Sequence, residues 1–475
     1  MFQFPEIPDC VLPNKPTLIP PLSPTPNHSL YLSNLDDQKF LRFSIKYLLL
    51  YRKSPDVGSL KRSLSVALVG YYPLAGRLRV SPVNEEKLEV DCNGEGALFA
   101  EAVLDLTVEE FKGICEKPNK SWRKLLYRTE GQSFLSIPPL VVQVTHLKCG
   151  GSILCLGICH CLCDGIGSAQ FLHAWADICK HPNQTPSSNP CWERHLLKPR
   201  NPLKIEYPHI EFTQTQYQHD LTTPFDLDQV LKPETLVPTS HTFHHDDIFS
   251  LKQLCNLSLK CTSFEVLSAH VWSSWAKAMC PPSHLKIKLL FSVNIRKTMR
   301  PNLPQGYYGN GFVLGCAETT VKELVHGNLS HIVRLIQRAK SRLTDDYVKS
   351  MVDYLGENRV KPDLSLSLVI SQWTRLGMER VDFGEGMALF MGPLCSEIYC
   401  IFFPVYGDSC GVTVLMSVPE SGVESFGYWM KNFREREMEG EGEKKSDIFM
   451  PATCTAHECH QICAHMAPPL DFATT

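Results

Sequence analysis

No stretch of this 475-residue chain reaches the ~18 consecutive apolar residues that a membrane-spanning helix needs. The first residues, Met1 to Lys15, lack the basic flank and apolar run of a secretory leader. The chain is therefore expected to be soluble and cytoplasmic. A charge excess of either sign is missing too: 47 Lys and Arg stand against 50 Asp and Glu, and the pI is near 6.6. That balance excludes a general field for nucleic acid or an anionic membrane. The 20 cysteines fall well short of the ~8 to 10% of a disulfide scaffold. They sit in apolar segments, as at Cys155, Cys316 and Cys400, which fits reduced thiols. No internal repeat is present.

What is there is an apolar fraction of 43% against 20% charged residues, enough to bury a sizeable core. The length exceeds one ordinary core, at roughly 100 to 200 residues per domain, and predicts two. Apolar residues recurring from Phe40 to Leu50 suit an amphipathic helix. Tyr72 to Leu78 reads as a loop entering a strand. Leu140 to Leu147 and Ile153 to Ile158, separated by Gly150-Gly151, predict a hairpin with His160 at its exit. Asp164-Gly165 ends the strand, and Ile166, Ala169, Leu172, Trp175 and Ala176 recur at helical spacing. Dense prolines between His181 and Asp226 mark a crossover linker. Beyond it, Thr262 to Glu265 has the spacing of a capping box ahead of a stripe formed by Leu267, Val271, Trp275 and Met279. A further long helix is expected from Val321 to Leu343, with strands at 286–293, 364–371 and 398–405. The expected organisation is an N-terminal domain over 1–190, a linker over 191–230, a C-terminal domain over 231–435 and a mobile tail over 436–475.

The residues that could do chemistry centre on His160-Cys161-Leu162-Cys163-Asp164-Gly165. A histidine where a buried strand turns into a helix is presented at an element end that a cleft can reach. Its near-neutral pKa lets it take a hydroxyl proton at ordinary pH, an effect worth roughly 10² to 10⁴ in rate. Asp164 has two readings: it could orient the imidazole as in a hydrolase triad, or pair with a distant arginine and hold the turn. The second is preferred.

Four segments together, 160–165, Tyr72 to Leu78, Asn294-Ile295-Arg296 and Val381-Asp382-Phe383-Gly384, resemble the plant BAHD acyltransferase family in order and separation over about residues 15–433. The resemblance implies a mixed α/β, two-domain, chloramphenicol-acetyltransferase-like fold with a channel between the domains. It implies a monomer with no metal and no permanently bound cofactor, and an acyl-CoA co-substrate whose acyl group passes to an alcohol. His160 would be the general base. Arg296 would pair with Asp164, and Ser371 and Trp373, in Ser371-Gln372-Trp373, would hold the tetrahedral intermediate. Lys260, Thr262 and Ser263 would approach the CoA phosphates. Asp382, Phe383 and Gly384 form a structural motif in which Glu385 stands where the family usually has tryptophan, which puts its fine geometry in doubt.

Within the family, His28 to Asp36 and Gly306 to Gly311 look most like the branch of ω-hydroxy fatty acid and fatty alcohol hydroxycinnamoyltransferases. A feruloyl-type donor and a long-chain acceptor are expected from that likeness. Transfer of acetyl or other acyl groups to aromatic or small alcohols is the alternative. A non-catalytic binder of lipid-pathway enzymes is the rival from another class, and the intact His160, Asp164 and Arg296 argue against it. A hydrolase is the third option, and the chain is expected to lack the Gly-x-Ser-x-Gly elbow of the familiar type. The tail carries Cys454, His457, Cys459, His460, Cys463 and His465, yet in no standard zinc-finger spacing, so no metal site is expected.

Overall fold

A computed structural model describes residues 6–114, 120–128, 133–182, 189–213, 235–255, 258–394 and 399–433. The tail 436–475, with its cysteines and histidines, and much of the expected linker lie outside the described residues.

Two six-stranded mixed sheets organise the chain. The first runs, in spatial order, Thr17–Ile19, Ala97–Leu104, Leu140–Leu147, Ser152–Cys159, Ser44–Tyr51 and Phe390–Pro393. The second runs Phe312–Thr320, Lys286–Asn294, Ser367–Gln372, Cys400–Val405, Asp408–Pro419 and Leu236–Phe243. The last strand of the first sheet comes from the C-terminal half and pairs antiparallel with Ser44–Tyr51. The two halves are thus interleaved, and one apolar core joins Leu156, Phe171 and Trp175 to Trp373, Phe383 and Met391.

The hairpin predicted around Gly150-Gly151 is present, with Leu140–Leu147 antiparallel to Ser152–Cys159. The helix Gly165–Lys180 follows, capped by Asp164, whose carboxylate accepts from Gly167 N at 3.0 Å. Helix Ser263–Met279 carries the predicted capping box: Thr262 accepts from Glu265 N, and Glu265 accepts from Thr262 N.

Two expectations fail. The Phe40–Leu50 helix is instead a short 3-10 turn, Lys39–Leu41, and the strand Ser44–Tyr51. That strand has a neighbour on either side and is buried from Tyr47 to Tyr51, so its apolar run is continuous and carries no period that distinguishes strand from helix. The Val321–Leu343 helix is two, Val321–His326 and Leu329–Ser341. Gly327 leaves helical geometry and Asn328 restarts it by accepting from His331 N at 2.8 Å.

Candidate active site

His160 leaves the central hairpin with its backbone fixed at both ends. Its N–H donates to Phe43 O at 2.8 Å, and its carbonyl accepts from Asn310 Nδ2 at 2.7 Å. The first partner adjoins strand Ser44–Tyr51 and the second precedes Phe312–Thr320, so His160 stands where the two sheets meet. Its ring meets Phe43 edge-on at 5.2 Å between centroids and Phe312 at 5.9 Å. Phe43 in turn stacks on Tyr399 at 6.2 Å. Burial disfavours the charged imidazolium and is the leading influence, so the pKa lies below its ordinary 6.5. The ring's own backbone carbonyl, the Asp164 charge and Asn310 oppose that shift without cancelling it. The imidazole is therefore neutral, and able to accept a proton, at neutral pH.

Asp164 is bound elsewhere. Arg296 donates to it through both terminal nitrogens, at 2.7 and 3.0 Å, and Gly311 N and Gly167 N each add a bond at 3.0 Å. Burial pushes its carboxyl up, yet the Arg296 charge and these bonds outweigh it and hold the pKa below the usual range. With four donors on two oxygens, the carboxylate holds the turn and makes no hydrogen bond to His160. The close approach of Arg296 explains Gly311, where a Cβ would lie 2.6 Å from Arg296 Nη1.

The remaining candidates divide into separate places. Trp373 Nε1 donates to Ser371 Oγ at 3.2 Å, and the indole packs on Tyr47 at 5.1 Å. Strand register sets Ser371 beside Ile401, two residues past Tyr399, which stacks on Phe43 beside His160. Lys260, Thr262 and Ser263 stand at the head of the Ser263–Met279 helix. There the Thr262 hydroxyl is taken up in its cap, and Glu265 pairs with Lys340 at 2.5 Å. Gln337 Nε2 donates to Lys260 O at 2.9 Å. Asp382 binds Lys180 at 2.8 Å and the N–H groups of Gly384 and Gly386, and Phe383 is buried against Trp175 at 4.8 Å. Glu385 meets Lys53 at 2.5 Å on the surface.

Sequence reasoning missed Asp36, Asn310 and Arg194. Asp36 and Asn310 lie inside segments singled out for branch likeness, but neither residue type carried a chemical signal of its own. One Gly-x-Ser-x-Gly string does occur, Gly407-Asp408-Ser409-Cys410-Gly411. It lies on the hairpin turn into Asp408–Pro419, with Asp408 accepting from Cys410 N and Gly411 N, and no helix follows it. It is not a nucleophile elbow. Among the described residues there is no cluster of three or more metal-ligating side chains, and no helix is long and apolar enough to cross a membrane.

A two-sheet fold joined at a histidine-bearing turn, with the turn's aspartate locked to an arginine, defines an acyltransferase of the BAHD class. Residues 12–433 match the model of the Transferase family, and the chain belongs to that family. It is 36% identical to the fatty alcohol:caffeoyl-CoA acyltransferase of Arabidopsis thaliana, across 87% of this chain and 96% of the relative. The ω-hydroxypalmitate O-feruloyl transferase of the same plant is also 36% identical, covering 87% and 91%. Benzyl alcohol O-benzoyltransferase of Petunia hybrida is 34% identical, covering 87% and 91%. Among solved structures, vinorine synthase superposes with a TM-score of 0.67 at 22% identity, covering 88% of this chain and 96% of that one. TRI101 of F. graminearum, complexed with coenzyme A and T-2 mycotoxin, gives 0.69 at 16%, covering 84% and 96%. The two-domain mixed α/β fold is that of these neighbours, and the protein is an acyl-CoA-dependent O-acyltransferase.

Proposed function

We propose that the protein transfers a hydroxycinnamoyl group, such as feruloyl or caffeoyl, from CoA to a long-chain or ω-hydroxylated aliphatic alcohol. The reading draws on the activities named for the two Arabidopsis relatives. The observation that carries the chemistry is the placement of the His160 imidazole between Phe43 and Phe312 where the sheets meet, with burial disfavouring its charged form. His160 takes the acceptor hydroxyl's proton as the oxygen attacks the thioester carbonyl. The tetrahedral intermediate then expels the CoA thiolate, to which the imidazolium returns the proton, so no covalent acyl-enzyme is required. The Trp373 N–H occupies Ser371 Oγ as an acceptor and leaves the hydroxyl proton free to donate to the developing oxyanion. Asp164 and Arg296 hold the turn, as Asp382, Phe383 and Gly384 hold the domain contact. Lys260, with Thr262 and Ser263 at a helix amino end, receives the CoA phosphates.

The domains span 1–190 and 231–435 around the linker 191–230, with the substrate channel between them. The protein works as a cytoplasmic monomer, with acyl-CoA and an alcohol as its partners and no bound cofactor. Aromatic side chains beside His160, together with the benzyl alcohol O-benzoyltransferase likeness, favour benzyl-type alcohols as the second acceptor class. The test is incubation of purified protein with feruloyl-, caffeoyl-, benzoyl- and acetyl-CoA against C16 alcohol, ω-hydroxypalmitate and benzyl alcohol, with esters identified by mass. Feruloyl or caffeoyl esters of the aliphatic alcohols are expected. Ester from no pair would overturn the reading, and ester from benzyl alcohol alone would replace it with the second.

A further inference from the structure

Two main-chain carbonyls of the catalytic turn, those of His160 and Leu162, are held from elsewhere in the molecule. The first accepts from Asn310 Nδ2 at 2.7 Å. The second accepts from Arg194 Nη2 at 2.6 Å. The same nitrogen donates to Tyr308 O at 3.1 Å, so one guanidinium bridges the turn to the segment that carries Asn310 and Gly311. Arg194 is only 1% exposed, so these bonds are made out of reach of water.

Arg194 comes from the start of the expected linker, and that stretch is pinned before it reaches the turn. Cys191 N donates to Gly306 O and Tyr308 N donates to Cys191 O, each at 2.8 Å, as a parallel bridge. Trp192 then packs on Tyr308 at 4.9 Å, and its Nε1 donates to Gly70 O at 3.3 Å. Arg194 also faces Asp36, with Nη1 3.4 Å from Oδ2. Asp36 is wholly buried and accepts from Ser33 N and Oγ at 3.0 and 2.6 Å, and from Asn310 N and Nδ2 at 2.7 and 3.0 Å. It therefore stands between the donor on the His160 carbonyl and the donor on the Leu162 carbonyl.

Packing alone does not explain an arginine here. Its Nε and Nη1 are buried without a hydrogen bond. A buried charge with donors unmade opposes folding, and a well-packed apolar side chain would fill the same space without that penalty. What an apolar side chain cannot do is hold a carbonyl of the turn. We propose that Arg194 is a positioning residue for His160: by gripping Leu162 O from the linker, it fixes the turn that sets the imidazole at the junction of the two sheets. This rests on the acyltransferase reading of His160 and deepens it by naming a contact that keeps the base in place.

The experiment measures kcat, KM for acyl-CoA and for the alcohol, and melting temperature in wild type, Arg194→Met and Arg194→Lys. Histidine-selective nitrogen-15 NMR follows the His160 ring in each, its signals assigned by their loss in His160→Ala. Folded Arg194→Met is expected to lose kcat on the order of 10²-fold at little change in KM, because a base displaced by ~1 Å reacts poorly while the binding surfaces stay. Arg194→Lys keeps the charge without the planar fork and should recover part of that kcat. The His160 ring signals, single in wild type, should broaden or split in Arg194→Met. Wild-type kcat in folded Arg194→Met, a KM rise that accounts for the loss, or unchanged His160 signals would overturn the proposal. Should Arg194→Met fail to fold, Arg194→Lys decides: reduced kcat at unchanged KM supports the proposal, and wild-type kcat overturns it. Failure of both to fold would make Arg194 a folding residue only and overturn it too. The ring signals are read without turnover, so an inactive wild type whose His160 still responds to Arg194→Met would count against the acyltransferase reading and not against this one.

Discussion

Two helices of this protein begin in nearly the same way and do different things. At Gly165–Lys180 the cap is Asp164, and at Ser263–Met279 it is Thr262 backed by Glu265. Each helix end is neutralised by a cation, Arg296 in one case and Lys340 in the other. The difference lies in what precedes the cap. Before Asp164 stands a half-buried histidine with an unpaired ring nitrogen, bound by its backbone to both sheets. Before Thr262 stands an exposed Lys260, whose carbonyl accepts from Gln337 of the neighbouring helix. Capping is local chemistry that any helix can use. Of the two sites, the first alone adds an imidazole whose backbone is bonded beside both sheets.

The largest effect expected from this contrast is at His160. His160→Ala should cut kcat by about 10² to 10⁴ with stability little changed, since the Asp164–Arg296 pair that holds the turn is left intact. Loss of stability in step with activity would erase the distinction between the sites. Next is Asp164→Ala, which leaves Arg296 buried without its carboxylate and should cost about 3 to 5 kcal/mol of folding free energy by denaturant titration. A stable Asp164→Ala would return the aspartate to an orienting role. Thr262→Ala should cost only ~1 kcal/mol, the ordinary value of a cap. A KM for acyl-CoA that rises beyond what this accounts for would sharpen the comparison, assigning the second helix end a ligand as well.

The pH dependence distinguishes the sites again. Burial holds the His160 pKa below its ordinary 6.5, so the midpoint of the acid limb of kcat/KM should lie below 6.5. The unfolded chain binds that proton more readily than the fold does, so stability also falls as pH drops through this window. Asp164 behaves with the same sign lower down: its depressed pKa means its contribution is present above 3.8 and lost as pH falls through the folded value.

Much of this was legible beforehand where local signals are strong. The Gly150-Gly151 turn and the Thr262-x-x-Glu265 box each specify short-range bonds, and each is present. The strand Ser44–Tyr51 was misread because burial on both faces removes its period. The partners of His160 were hidden for a related reason. Asn310 reaches the His160 carbonyl across 150 residues and Asp36 reaches Asn310 across 274, and an asparagine has no pattern of its own to announce such a contact. Arg296 could be paired with Asp164 only because its motif resembled a known family.

The most direct test of the central claim is ester formation by wild type and by His160→Ala, compared at equal concentrations of folded protein with feruloyl-CoA and a C16 alcohol. The account predicts ester from wild type and a loss of about 10² to 10⁴ in the variant, with both melting together. Equal rates in the two proteins would contradict it.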